Sequence, residues 1–150
     1  MEIDELIAHI TDTYAGVRVM THAGDSFFLY DPDGDLPPQR QQPFATIVTG
    51  DHYEPDSQLD RDGAYRVNIG LTKAGYSALI GPSTVDDYTP RDTLLPHPTY
   101  AGQHWVCVAN PGPSTTDTVR RLIADAYGFA VRKHDNRSPS HQVTGRLRTP

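Results

Sequence analysis

Strand patterns fill the middle of this sequence and helix patterns fill its two ends, and this order restricts the fold more than any other feature. Apolar residues recur at helical spacing from Ile3 to Tyr14, with acidic residues at the positive end of the helix dipole. A second apolar stripe, from Val119 to Ala130, predicts a longer helix that ends near Lys133. The order predicts an α+β domain whose mainly antiparallel sheet is flanked by an N-terminal helix and a long C-terminal helix.

Turn residues divide the middle of the chain into five segments with strand character. The predicted strands are Val17–Met20, Asp25–Tyr30, Pro43–Thr49, Ala64–Gly70 and the apolar run Trp105–Val108. A short helix is predicted over Lys73–Ile80 with Thr72 as its N-cap. The acidic segment Asp51–Gly63 is predicted to be a solvated loop, and Ser83–Pro96 is predicted to be irregular.

Positive and negative charges are distributed unevenly along the chain. Five of the 13 Lys and Arg residues, but only one of the 19 Asp and Glu residues, lie from Arg132 onward. We predict one domain over residues 1–133 and a disordered basic tail over residues 134–150, which lack apolar periodicity. Because an acidic body repels phosphate backbones, nucleic-acid binding is disfavoured.

Cysteine usage and hydropathy indicate where such a chain would reside. Cys107 is the single cysteine, so the chain has no intrachain disulfide, as suits a reducing compartment. The first residues are acidic where a signal peptide needs a basic region, and no apolar run reaches the ~18 residues of a membrane span. We therefore expect a cytoplasmic protein with no membrane partner.

The segment Leu94–Pro111 contains the residues that are best suited to catalysis or binding. His97, Tyr100 and His104 lie close together next to a predicted strand, where a histidine could serve as a general acid or base or as a metal ligand, Tyr100 could orient a substrate, and the group could bind a ligand. A histidine beside a tryptophan is more often a packed, hydrogen-bonded residue of the structure. Both interpretations stay open, and no tightly held metal or cofactor is expected.

Arg66, Asn68 and Trp105 are the candidate ligand-binding residues. Arg66 and Asn68 share one face of their predicted strand, so they could orient a small polar ligand in a cleft near Ser83–Thr99, or could simply face solvent. Alternation also places Trp105 and Cys107 on one face of their strand. Since a buried cysteine usually behaves as a small apolar residue, a packed Cys107 is favoured over a nucleophile.

Two short patterns resemble ligand motifs without matching them. Asp31–Asp35 places carboxylates at alternate positions, but Gly34 is at the fourth rather than the sixth position and Gln42 stands where a calcium loop requires a glutamate, so a turn is predicted. Gly70 and Gly75 have the spacing of a phosphate-binding loop, but the Lys-Ser/Thr pair that completes that loop is missing.

Several motifs resemble those of a family of bacterial proteins of about 150 residues whose function is unknown, and more distantly those of the MmcQ/YjbR-like proteins. The motifs are Pro43-Phe44-Ala45-Thr46, Leu59-Asp60-Arg61, Tyr65-Arg66-Val67-Asn68-Ile69-Gly70, His97-Pro98-x-Tyr100 and His104-Trp105-Val106-x-Val108. The distant resemblance implies a compact α+β fold that has been likened to DNA-binding folds. Ala126-Tyr127 stands where those proteins have Ser-Tyr, and the Lys-rich segment before their His-Trp pair is missing.

The sequence favours a small cytoplasmic binding or accessory module that engages a small molecule or a protein partner near His97 to Trp105. One alternative is a cofactor-independent enzyme that uses His97 or His104 as a general acid or base. The other is a DNA-binding protein, which rests on the fold analogy and is opposed by the charge of the body.

Overall fold

A computed structural model describes residues 1–137, which form three α-helices and one six-stranded sheet. In chain order the elements are α1 (Ile3–Thr13), β1 (Val17–His22), β2 (Asp25–Tyr30), β3 (Ala45–Val48), β4 (Arg66–Gly70), α2 (Lys73–Leu79), β5 (Leu95–Pro96), β6 (Trp105–Ala109) and α3 (Thr116–Arg137). Short 3-10 turns lie at Pro38–Arg40 and Ala101–Gln103. The predicted α+β fold is confirmed, with helices at both ends of an antiparallel sheet.

The strands follow the order β1-β2-β3-β4-β6-β5, and every neighbouring pair is antiparallel. The β1–β2 hairpin turns at Ala23 and Gly24, whose φ angles of 53° and 85° suit the tight turn that matches the twist of the strands. β5 has only two residues, and it pairs with β6 through Leu95 and Pro96. No local pattern marks so short a strand, which explains why it was not predicted.

Alternation along the central strands gives the sheet two different faces. On one face, apolar side chains of β4 and β6 pack with α1 and α3 in the hydrophobic core. The core members from these strands are Val67, Ile69, Val106 and Val108. Arg66, Asn68 and Cys107 face the opposite side, as the alternation predicts. This second face carries the polar site.

The helix α3 runs past its predicted end near Lys133, and a side chain from another segment holds its start. Its first turn is held by Asp92, whose Oδ1 accepts hydrogen bonds from the backbone N–H groups of Gly112 (2.8 Å) and Thr115 (2.9 Å). The backbone N–H of Ser114 donates to Asp92 Oδ2 at 3.0 Å. The helix continues to Arg137, and the remainder of the predicted tail, residues 138–150, lies outside the described residues.

The prediction of a solvated loop over Asp51–Gly63 is wrong for its central part. Ser57 and Leu59 are buried, and Leu59 is fully enclosed. Arg91 fixes the segment from outside by donating hydrogen bonds to the carbonyl oxygens of Ser57 (2.6 Å) and Gln58 (2.8 Å). The acidic residues flank this buried stretch, which covers part of the polar face of the sheet.

The predicted turn at Asp31 is present. The Asp31 carboxylate accepts the backbone N–H of Asp35 at 3.1 Å and pairs with Arg18 Nε at 2.8 Å. Within residues 1–137 no helix is both long enough and apolar enough to cross a bilayer.

Candidate functional site

Arg66 is the centre of a buried polar network on the second face of the sheet. Arg66 is only 1% exposed. Its guanidinium donates hydrogen bonds to Asn68 Oδ1 (2.8 Å), to Ser57 Oγ (2.9 Å) and to the Glu54 carboxylate. A buried guanidinium is costly unless it is paired and hydrogen-bonded. Glu54 supplies the compensating charge, so Arg66 is satisfied by protein groups and is neither solvent-exposed nor free for a ligand.

Asn68 extends this network across the sheet. β3 and β4 pair so that Thr46 lies opposite Asn68, and the Asn68 amide donates to Thr46 Oγ1 at 2.9 Å. Asn68 is itself buried. The two residues predicted to orient a ligand therefore orient each other.

His97 closes the network on the side of β5. Its Nδ1 accepts two backbone hydrogen bonds, from the N–H groups of Thr99 and Tyr100, both at 3.0 Å. Nδ1 therefore carries no proton, and we assign the ring proton to Nε2. Nε2 lies 3.5 Å from Arg66 Nη2 and 4.0 Å from Glu54 Oε1. Because Nε2–H and Nη2–H are both donors, the contact with Arg66 is not a hydrogen bond.

The environment of His97 keeps its ring neutral. Burial and the positive charge of Arg66 lower its pKa to about 4, although the Glu54 carboxylate acts in the opposite direction. His97 is only 3% exposed, so a substrate would have to displace neighbouring residues to reach its ring. This geometry favours the interpretation of His97 as a packed, hydrogen-bonded residue.

Tyr100 and His104 occupy different places. The Tyr100 ring lies 5.0 Å from the His97 ring, and the residue is 50% exposed. His104 ends the 3-10 turn Ala101–Gln103 in a left-handed conformation with φ of 71°, and its ring contacts Tyr76 of α2 at 5.7 Å. The fold thus brings Tyr100 to His97 but directs His104 toward α2.

Cys107 is enclosed in the sheet. It is buried, and its thiol lies 3.7 Å from the carbonyl oxygen of Pro96. Burial raises the pKa of the Cys107 thiol to about 12, so the nucleophilic thiolate is not formed near neutral pH. The packed role that was predicted for Cys107 agrees with these contacts.

A second histidine–carboxylate contact lies beside the Arg66 network and was missed in the sequence. Asp25 is fully buried, its Oδ2 lies 2.5 Å from His52 Nε2, and its Oδ1 accepts the backbone N–H of Thr49 at 2.8 Å. Tyr53, the next residue, is 51% exposed, and partial burial together with the charges of Asp25 and Glu54 raises its pKa. These contacts fix both ends of residues 52–54 over the sheet. The only sign of this contact in the sequence is that Asp25, an acidic residue, is the first residue of β2.

Trp105 belongs to a different part of the molecule, an open pocket of about 670 Å³ at the end of the sheet where β4 ends and β6 begins. We call it the Trp105 pocket. Its apolar wall consists mainly of Phe44, Leu71, Trp105, Ala126, Phe129 and Ala130, and its ionisable groups are Asp33, Asp35, Arg40, Lys133, His134 and Arg137. The indole is placed by Gly70, at which an added Cβ would lie 2.9 Å from two ring carbons.

The structure therefore separates the six predicted site residues into three groups. Arg66, Asn68 and His97 form the buried network with Glu54, and Tyr100 lies at its surface. Trp105 lines the pocket and His104 contacts α2. A smaller cavity of about 450 Å³ lies between α2 and α3. Within residues 1–137, no three His, Cys, Asp or Glu side chains come together in an arrangement that could hold a metal ion.

Comparison with known proteins places the chain in a family. The family model that matches is DUF6194, a family of unknown function, and the match covers residues 1–139. No curated protein matches the chain. The resemblance to a family of unknown function is thus confirmed, and the site must be interpreted from its own geometry.

Proposed function

The chain belongs to the DUF6194 family of unknown function, and we propose that it is a binding or accessory module whose small-molecule ligand occupies the Trp105 pocket. One observation carries this proposal. The pocket has a volume of about 670 Å³, and Trp105, Phe44 and Phe129 are among its walls. Small-molecule sites typically have roughly 300–1,000 Å³ and combine apolar or aromatic walls with a few polar groups.

The Arg66 network supports the same proposal as a scaffold. The ring Nδ1 of His97 accepts hydrogen bonds from the backbone N–H groups of Thr99 and Tyr100. The backbone N–H of His97 donates to the carbonyl oxygen of Trp105 at 3.0 Å. The network therefore fixes the two ends of the segment that carries Gln103 and Trp105 into the pocket wall. Binding sites are commonly positioned by such a rigid scaffold.

The other predicted functions receive less support from the geometry. An acid–base role for His97 requires an accessible nitrogen, yet Nδ1 already accepts two backbone hydrogen bonds and the ring is buried. DNA recognition and a relationship to the MmcQ/YjbR-like proteins stay predictions, and the acidic body opposes the former. A cytoplasmic location remains part of the proposal, and imaging of a tagged chain in its native cell would test it.

The proposal is tested by a thermal-shift screen of the wild-type chain against a library of metabolites. We expect at least one compound to raise the unfolding midpoint in a concentration-dependent manner, since a ligand that binds only the folded state stabilises it. Ala130→Leu, which fills the pocket, should abolish that shift. Ala78→Leu, which places the same side chain in the cavity between α2 and α3, should leave it intact.

Two results would contradict the proposal. One is a ligand whose shift survives Ala130→Leu but is lost in Tyr100→Phe, which would place binding at the surface of the Arg66 network. The other is a complete screen without any stabilising compound, which would favour a protein partner over a small molecule.

A further inference from the structure

The Trp105 pocket collects positive charge from two separate elements. Arg40 comes from the 3-10 turn Pro38–Arg40, whereas Lys133 and Arg137 come from the last turns of α3. In the described part of the chain, none of these three cations forms an ion pair with a carboxylate.

Part of this charge has an ordinary structural role. Basic residues near the C-terminus of a helix interact favourably with its dipole. Arg40 Nη2 donates to the carbonyl oxygen of Arg137 at 3.1 Å, a hydrogen bond that joins the 3-10 turn to α3. Arg40 is therefore partly accounted for by its hydrogen bond to the backbone of α3.

Lys133 is not accounted for in this way. Its ammonium lies 4.5 Å from the centroid of the Phe129 ring, another residue of the pocket wall. No hydrogen bond of Lys133 occurs among the described residues, and burial together with the charge of Arg137 lowers the pKa of Lys133. The ammonium thus lies against an aromatic wall beside a second cation, where an anion would compensate its charge.

The aspartates of the pocket limit how much negative charge a ligand can bring. Asp33 and Asp35 lie on the exposed turn after β2 and line the same pocket as the three cations. Two carboxylates against three cations leave a single excess positive charge among the Asp, Lys and Arg side chains of the pocket. A group with one negative charge suits this balance better than a phosphate dianion.

We propose that the ligand of the Trp105 pocket is a monoanionic carboxylate with an apolar body, that Lys133 and Arg40 hold its carboxylate, and that Trp105 and Phe129 contact its body. This inference rests on the proposed function, because it names the ligand class of the same pocket. A charge-assisted hydrogen bond of a carboxylate is worth roughly 1.5–3 kcal/mol, which corresponds to at least about ten-fold in affinity.

The test compares each acid with its own neutral amide. The fluorescence of Trp105, the only tryptophan of the chain, is titrated with a series of phenylalkanoates and straight-chain alkanoates and with the corresponding primary amides. We expect the acids to bind at least about ten-fold more tightly than their amides, with the difference shrinking as salt is added. Lys133→Gln should remove most of the difference.

Two matched variants check that charge inside the pocket is responsible. Asp35→Asn should raise the affinity for the acids and leave the amides unchanged, because it removes a repelling carboxylate. Arg121→Gln removes a cation from the cavity between α2 and α3 and should change neither the affinity for the acids nor the affinity for the amides. Equal binding of acids and amides, or an unchanged preference in Lys133→Gln, would overturn the inference while leaving the proposed pocket intact. If neither acids nor amides bind, the inference is overturned as well. The thermal-shift screen then tests separately whether the Trp105 pocket binds another ligand.

Discussion

Glu54, from the loop between β3 and β4, carries the only carboxylate among the described residues that pairs with the buried guanidinium of Arg66. The Glu54 side chain is itself only 12% exposed, so neither charge is well solvated. Thr99 Oγ1 donates to the second carboxylate oxygen at 3.1 Å, which joins the loop to the segment after β5. This ion pair holds together the scaffold behind the Trp105 pocket.

Glu54→Gln should destabilise the fold by about 3–5 kcal/mol, because breaking a buried pair leaves an uncompensated charge. Chemical denaturation at neutral pH measures this difference. Asp56→Asn, an exposed change on the same loop, should stay within about 0.5 kcal/mol of the wild type. A loss below about 1 kcal/mol for Glu54→Gln would contradict the buried pair.

Stability should fall as the pH is lowered from about 6.5 toward about 4. The pKa of His97 is lowered to about 4 in the folded state, whereas its usual value is 6.5. Between these values the unfolded chain binds the extra proton, so stability rises with pH across this window by an amount of the order of 3 kcal/mol.

The pH dependence is measured by denaturation of the wild type and of His97→Asn at several pH values. The variant should lack the part of the slope that His97 contributes. His22→Asn removes an exposed histidine and should keep the wild-type slope. Identical slopes in wild type and His97→Asn would show that the His97 ring is not held neutral.

Gly70→Ala should displace the Trp105 indole, because the new methyl group would lie 2.9 Å from ring carbons. The expected result is a shift of the Trp105 emission maximum and weaker ligand binding. Gly102→Ala is the matched control, since a Cβ at that position meets no atom within 4 Å. Unchanged emission in Gly70→Ala would mean that Gly70 does not position the indole.

Cys107 should be unreactive in the folded protein. Its burial raises the pKa of the thiol to about 12. An aromatic disulfide that releases a coloured thiolate should therefore react with Cys107 only at the rate at which the protein unfolds. The rate should rise sharply in denaturant. Rapid reaction of the native protein near neutral pH would revive the hypothesis of a nucleophilic cysteine.

Local patterns were sufficient to predict the fold and the orientation of its central strands. Alternation correctly placed Arg66 and Asn68 on one face of β4, and Trp105 and Cys107 on one face of β6. Such predictions succeed because one face of each strand packs in the core, which fixes the register. The exposure of Arg66 and Asn68 could not be predicted in this way, since it depends on which loop covers them.

The covering loop and the pocket depend on contacts between distant segments. Residues 51–63 have the composition of a solvated loop, and part of the segment is buried because Glu54 and Ser57 pair with Arg66 of a distant strand. The Trp105 pocket likewise combines β6 with the last turns of α3. No spacing along the chain records that juxtaposition, so Lys133 was not recognised as a site residue.

The central claim is that a small molecule binds against Trp105, and two-dimensional ¹H–¹⁵N NMR tests it most directly. The single tryptophan gives a single indole N–H resonance. On titration with a stabilising ligand from the screen, we expect this resonance and the amides of Gly70 and Phe129 to shift together, while the amides of Arg66 and Asn68 stay in place. A ligand that shifts the amides of Thr99 and Tyr100 but not the indole would contradict the assignment of the site to the Trp105 pocket.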